Sequence, residues 1–198
     1  MKVVNVIVYI FGAIVAILVG VLFYDSRPAK ALHDNVFDYI VEDILGRPHP
    51  MLQYKGHILL IMNVASECGF ADKGYAAASD LYQKYSGEHN FTVLAFPCDQ
   101  FGGQEPGDSN QIMDFAKKRN NPVTFPLMNK VNVNGPDASP LWEHLKNHLP
   151  GVLGTRSIKW NFSKFLVARD GTVRFRYDPR VPTEDIETDL QTLLYFRE

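Results

Sequence analysis

The sequence predicts an α/β domain, thioredoxin-like in its order of elements, with a central mixed sheet flanked by helices. Three observations carry this. Two continuously apolar runs, "HILLIMNV" (57–64) and "FTVLAF" (91–96), have the length and β-branched content of strands buried on both faces. Helical patterns follow each of them. The chain then closes with "KFLVARDGTVRFRY", two strand-like runs around an Asp170-Gly171 turn, and a last amphipathic helix. Strands alternating with helices build a parallel pair, and the closing hairpin makes the sheet mixed.

The elements follow in order. Residues 3–24, "VVNVIVYIFGAIVAILVGVLFY", contain Asn5 as their one strongly polar member. About 20 such residues cross a bilayer core as a helix. Residues 1–24 therefore read as an uncleaved transmembrane signal-anchor. A cleaved signal peptide is the alternative, although its apolar region usually spans about 7–15 residues. The small-x-small triplet Ala29-Lys30-Ala31 sits several residues past the run. Lys2 on one side and Arg27 and Lys30 on the other leave the orientation open. The expected location is a membrane of the endoplasmic reticulum or secretory pathway, or outside the cell after cleavage. Residues 25–34, "DSRPAKALHD", read as a linker, and 35–198 as the folded domain.

Within that domain, 35–55 reads as a short hairpin region with "GRPHP" as its turn. A helix is expected over Lys73–Tyr85, with Tyr75, Ala78, Leu81, Tyr82 and Tyr85 on one side. Asp108 or Ser109 caps a helix carrying Ile112, Phe115 and Ala116. Ser139-Pro140 opens another, which Pro150-Gly151 ends. Thr183 caps the last helix, with Ile186, Leu190, Leu193 and Leu194 at helical spacing.

Composition excludes several functions. The 198 residues are 46% hydrophobic and 21% charged, with a net charge of −2. No basic stripe is available for nucleic acid. The two cysteines, Cys68 and Cys98, are too few for a disulfide framework or a thiolate zinc site. His144 and His148 are four apart but lack a third ligand, so they read as surface histidines and no metal is expected. "GFADKG" lacks the lysine and hydroxyl of a phosphate loop.

Cys68 falls between a buried strand and the helix after it. A helix N-terminus favours the thiolate over the thiol. On position alone, a reactive thiol and a small buried hydrophobe are about equally good readings.

Three blocks shift that balance. "NVASECGF", "LAFPCDQFGGQEPG" and "KWNFSKFLV" together resemble the glutathione peroxidase family in order and spacing, from about residue 35 to the C-terminus. The chain is most similar to the monomeric phospholipid hydroperoxide branch. "VNVNGPDASPLW" runs on to "GVLGTRSIKWNF" without the insertion that tetrameric members use in assembly.

The resemblance puts the peroxidatic residue at Cys68, its glutamine at Gln104, and its Trp-Asn pair at Trp160 and Asn161. It implies reduction of hydrogen peroxide and organic or lipid hydroperoxides through a Cys68 sulfenic acid. It implies no bound cofactor, a thiol such as glutathione as co-substrate, and a monomer. The chemistry suits these residue types. A thiolate attacking an O–O bond is served by uncharged donors: two amides and an indole N–H.

Against the family pattern, cysteine stands where selenocysteine occurs in some members. Ala116 stands where many cysteine-containing relatives carry a resolving cysteine. Glutathione is therefore the expected reductant. Lys159 and Arg176 stand where basic residues would pair with its carboxylates, or they are ordinary solvated cations. Phe70 replaces the family's basic residue after the nucleophile's glycine. Cys98 reads as a packed residue, though in reticulum relatives a cysteine of this block takes part in resolving. The alternative function is a peroxide-sensing relay that passes oxidation to a partner of thioredoxin or protein disulfide isomerase type. "NFT" at Asn90 and "NFS" at Asn161 are glycosylation sequons if the domain is lumenal.

Overall fold

A computed structural model of the chain describes residues 33–195. The expected membrane segment 3–24 and most of the linker lie outside the described residues. Among the described residues no helix is long and apolar enough to cross a membrane.

The order of elements matches the sequence reading. A short antiparallel hairpin, β1 (Ile40–Glu42) and β2 (Pro48–Pro50), opens the domain between two 3-10 turns, Val36–Asp38 and Met51–Tyr54. Then come β3 (Ile58–Val64), α1 (Ala71–Tyr85), β4 (Phe91–Pro97), α2 (Ser109–Lys117) and α3 (Pro140–His148). The hairpin β5 (Lys164–Val167) and β6 (Val173–Tyr177) and the helix α4 (Thr183–Tyr195) close it. The main sheet runs β4-β3-β5-β6; β3 and β4 are parallel, while β5 is antiparallel to both β3 and β6.

Every residue of β3 and β4 is buried, as their unbroken apolar runs require. Alternation sends Leu59 and Ile61 to one face, against Leu141, Trp142 and Leu145 of α3 and the opening hairpin. Leu60, Met62 and Val64 go to the other, against Tyr75, Ala78 and Leu81 of α1 and Ile186 and Leu190 of α4. Two cores on the two faces of one sheet give the three-layer arrangement. Asp108 caps α2 in a reciprocal box with Gln111, since an acceptor there satisfies the free N–H groups of the first turn.

Two expectations need correction. Thr183 is the first residue of α4 and not the residue before it; Pro182 precedes the helix, and its carbonyl accepts from Ile186 N–H. His144 is not a surface histidine: it is 1% exposed, while His148 is open to solvent. The His144 ring stacks on His148 at 3.9 Å between centroids, and its Nδ1 lies 3.0 Å from the His33 carbonyl oxygen. Such a contact requires Nδ1–H to donate. Apolar neighbours in α3, Trp142 and Leu145, extend the buried face across His144, which an i, i+4 count of histidines does not register.

Burial pushes His144 down to about 4, and the neighbouring His148 adds to the effect. The unfolded chain therefore binds this proton first as pH falls. The stability contribution is intact above about 6.5 and is lost progressively towards 4. Urea melts between pH 7 and 4.5 should show wild type losing more stability than His144→Gln; equal slopes would contradict the assignment.

Candidate active site

Three loops meet at the end of the sheet where β3 and β4 finish and β5 begins. Parallel pairing puts the exits of β3 and β4 side by side, and antiparallel pairing brings the entry of β5 to the same edge. Sites in open α/β sheets favour this edge.

The β3 exit carries Cys68, 6% exposed and free of any disulfide. Its carbonyl accepts Ala71 N–H at 2.8 Å, which bends the chain directly into α1. The N-cap of α1 is Phe70, which gives no side-chain cap. Phe70 N–H instead lies 3.5 Å from Cys68 Sγ. The uncapped helix start thus presents a backbone N–H to the sulfur.

The β4 exit carries Gln104. Gly102 and Gly103 before it have φ of +71° and +63°, a left-handed pair that glycine adopts without a Cβ penalty. The turn they make brings the Gln104 carbonyl to Glu67 N–H at 3.0 Å, one residue from Cys68. At the entry to β5, Asn161 is fully buried, and its Nδ2 donates to Gln104 Oε1 at 3.0 Å. Its Oδ1 is buried with no hydrogen-bond partner among the described residues. Trp160 is 41% exposed and tilts against Phe101 at 6.1 Å. The fold thus puts Gln104 and Asn161 in direct contact, fastens Gln104 to the Cys68 loop, and leaves the Trp160 indole partly exposed against Phe101.

The two basic residues part company. Lys159 is exposed beside Trp160. Arg176 has another use: its guanidinium donates to the carbonyls of Leu149, Arg156 and Ser157 and lies over the Phe165 ring. Those bonds hold the 149–157 loop, so the expected pairing with a substrate carboxylate does not carry over to Arg176.

Four residues beyond the expected set shape the site. Glu105 is buried; burial raises its carboxyl above the usual range, while Ser66 N–H and Oγ–H donate to it at 3.0 and 2.6 Å. Lys130 Nζ donates to the Glu105 carbonyl at 2.6 Å. Lys164, pushed down to about 8 by burial, donates to the Phe162 carbonyl at 2.8 Å. Asn63 bonds the same segment from β3. Only Asn63 had a sequence signal, as a polar residue inside an apolar run.

A glutathione peroxidase family model matches residues 36–146, more than half of the chain. The chain belongs to the glutathione peroxidase family. A probable phospholipid hydroperoxide glutathione peroxidase from Citrus sinensis is 48% identical over 160 residues, which cover 81% of this chain and 94% of that protein. A chloroplastic phospholipid hydroperoxide glutathione peroxidase from Arabidopsis thaliana is 45% identical over 180 residues, covering 88% and 75%. The crystal structure of T. cruzi GPX1 superposes with a TM-score of 0.68 at 43% identity, covering 81% of this chain and 97% of that one. A thiol:disulfide interchange protein of the thioredoxin family from Chlorobium tepidum shares the fold at 14% identity and a TM-score of 0.60, covering 84% and 99%. The chain is thus a thioredoxin-fold glutathione peroxidase, an oxidoreductase that reduces hydroperoxides with a thiol.

The Trp160–Asn161 segment rests on α1 through Phe162, which packs on Gly74 and edge-on to Tyr75. A Cβ on Gly74 would lie 2.3 Å from Phe162 Cδ1, and Phe162 sits at φ +63°. Gly74→Ala must therefore push the ring, and the segment with it. Overpacking of this kind costs about 1–3 kcal/mol, partly offset by a helix-propensity gain of about 1 kcal/mol. The expected result is a small loss in a urea melt but a loss of peroxide turnover on the order of tenfold or more. Unchanged turnover would contradict the coupling.

Proposed function

We propose that Cys68 is the peroxidatic residue and that Gln104, Trp160 and Asn161 are its neutral donors. The Asn161–Gln104 contact, fastened to the Cys68 loop through Glu67 N–H, is the observation that supports this most. In the first step the Cys68 thiolate attacks the terminal peroxide oxygen. An S–O bond forms, the O–O bond breaks, and the electron pair leaves on the other oxygen, which takes a proton and departs as alcohol or water. Donors that carry no charge stabilise the departing oxygen without holding the thiolate in a fixed ion pair. In the second step a reductant thiolate attacks the sulfenic sulfur; an S–S bond forms and water leaves. A second thiol then attacks the mixed disulfide, releases the oxidised reductant and restores Cys68.

Glutathione is the proposed reductant. The α2 position that would carry a resolving cysteine is Ala116, packed in the core and 1% exposed. Cys98 is fully buried and its thiol is pushed up by burial, which suits packing more than resolving. Lys159 is the one basic residue retained for a glutathione carboxylate. An organic or lipid hydroperoxide is the proposed substrate, and a monomer the proposed state. The apolar stretch 3–24 supports a membrane-anchored, secretory location, where anchoring would concentrate the enzyme near oxidised lipid.

Two experiments test this. In steady-state peroxide reduction by the full chain, Cys68→Ser should abolish turnover, and Gln104→Ala and Trp160→Phe should each lower it on the order of 10²-fold or more. Glutathione should sustain turnover better than thioredoxin; an active Cys68→Ser protein would end the reading. For location, Asn90 is exposed and Asn161 fully buried. A lumenal domain should acquire a glycosidase-sensitive mobility shift abolished by Asn90→Gln; absence of any shift would contradict a lumenal side.

A further inference from the structure

We infer that Asn63 is a positioning residue of the peroxidase site, fixing the backbone that presents Trp160 and Asn161. This rests on the reading of those two side chains as donors.

Asn63 occupies β3, one residue before the strand ends, and is fully buried. It makes four hydrogen bonds to one short segment. Its carbonyl accepts Phe162 N–H at 2.8 Å, and its own N–H donates to the Ser163 carbonyl at 3.3 Å. Its side chain adds two bonds that no sheet ladder supplies: Oδ1 accepts Ser163 N–H at 3.0 Å, and Nδ2 donates to the Trp160 carbonyl at 3.3 Å. The amide fork therefore bridges from one side of Asn161 to the other. A carboxylate lacks the donor, and an aliphatic side chain lacks both groups.

The segment it holds would not keep its shape unaided. Phe162 lies at φ +63°, a conformation that residues with a Cβ rarely adopt and that persists only where the surroundings fix it. Lys164 Nζ holds the Phe162 carbonyl, and Ser163 Oγ–H gives the Trp160 carbonyl a second donor at 3.0 Å. Asn63 is also on the strand that leads to Cys68. One residue thus ties the nucleophile's strand to the segment carrying two of its proposed donors. A polar residue in a strand otherwise buried and apolar is explained by this use, since burial without partners is unfavourable.

The test uses the full chain in detergent, labelled with 5-fluorotryptophan; the sequence holds two tryptophans, Trp142 in the core and Trp160 at the site. Asn63→Ala should slow single-turnover oxidation of Cys68 by hydrogen peroxide on the order of 10- to 100-fold, the scale of a roughly 1 Å misplacement. It should move the Trp160 fluorine resonance and leave that of Trp142 in place. Should Asn63→Ala fail to fold, Ser163→Ala loosens the same carbonyl from the other side, with an expected loss of roughly three- to tenfold. A folded Asn63→Ala protein within twofold of wild type overturns the inference, as does a slowed one whose two resonances shift alike. Asn161→Ala, run in parallel, separates the layers. If it is slow while Asn63→Ala is not, the positioning role falls alone. If neither is slow, the donor reading falls and takes the positioning role with it.

Discussion

Strand β3 is bonded along both edges, to β4 in parallel and to β5 antiparallel, and is buried on both faces. The rest of the domain depends on that position. A central apolar strand cannot shift register without turning Leu59 and Ile61 from one core into the other. With its register fixed, the ends of its neighbours are fixed too. Cys68, Gln104 and Asn161 are far apart in sequence, yet they reach one edge because two strands end there and a third begins. The site is a consequence of strand direction before it is a matter of side chains.

What the side chains add is the Asn161–Gln104 contact beside the Cys68 loop, with the buried charges nearby engaged by partners of their own. Glu105 is a buried carboxylate next to Gln104, and two donors from Ser66 hold it. Lys164 is a buried ammonium behind Phe162, and a carbonyl holds it. Both of these buried charged groups have partners that set a loop, as burial requires. Arg176 follows the same rule: a cation that sequence position assigns to a substrate is engaged by three carbonyls of its own chain. Lys159, without such a cluster around it, stays open to solvent.

The strands and helices were legible because their signals are local: continuous apolar runs for β3 and β4, an Asp-Gly turn for β5 and β6, and a cap at Asp108. The proposed Cys-Gln-Trp-Asn set rests on resemblance and not on any one residue, since each has an ordinary role elsewhere. The burial of His144, the engagement of Arg176 and the partners of Asn63 were hidden for one reason: they depend on contacts between segments distant in sequence. His144 is buried because the 33–39 segment covers it through His33 and Tyr39. Arg176 is engaged by a loop some twenty or more residues before it. Asn63 meets its partners about a hundred residues later. No periodicity or spacing rule reports such pairs.

Everything functional converges on the claim that peroxide oxygen is transferred to Cys68 and not to Cys98. The most direct measurement treats the reduced full chain with one equivalent of hydroperoxide, traps sulfenic acid with dimedone, and maps the adduct by mass spectrometry. The account predicts an adduct on Cys68 alone, formed with release of the corresponding alcohol and lost when glutathione is added before the trap. An adduct on Cys98, or alcohol release with Cys68 still a free thiol, would contradict it.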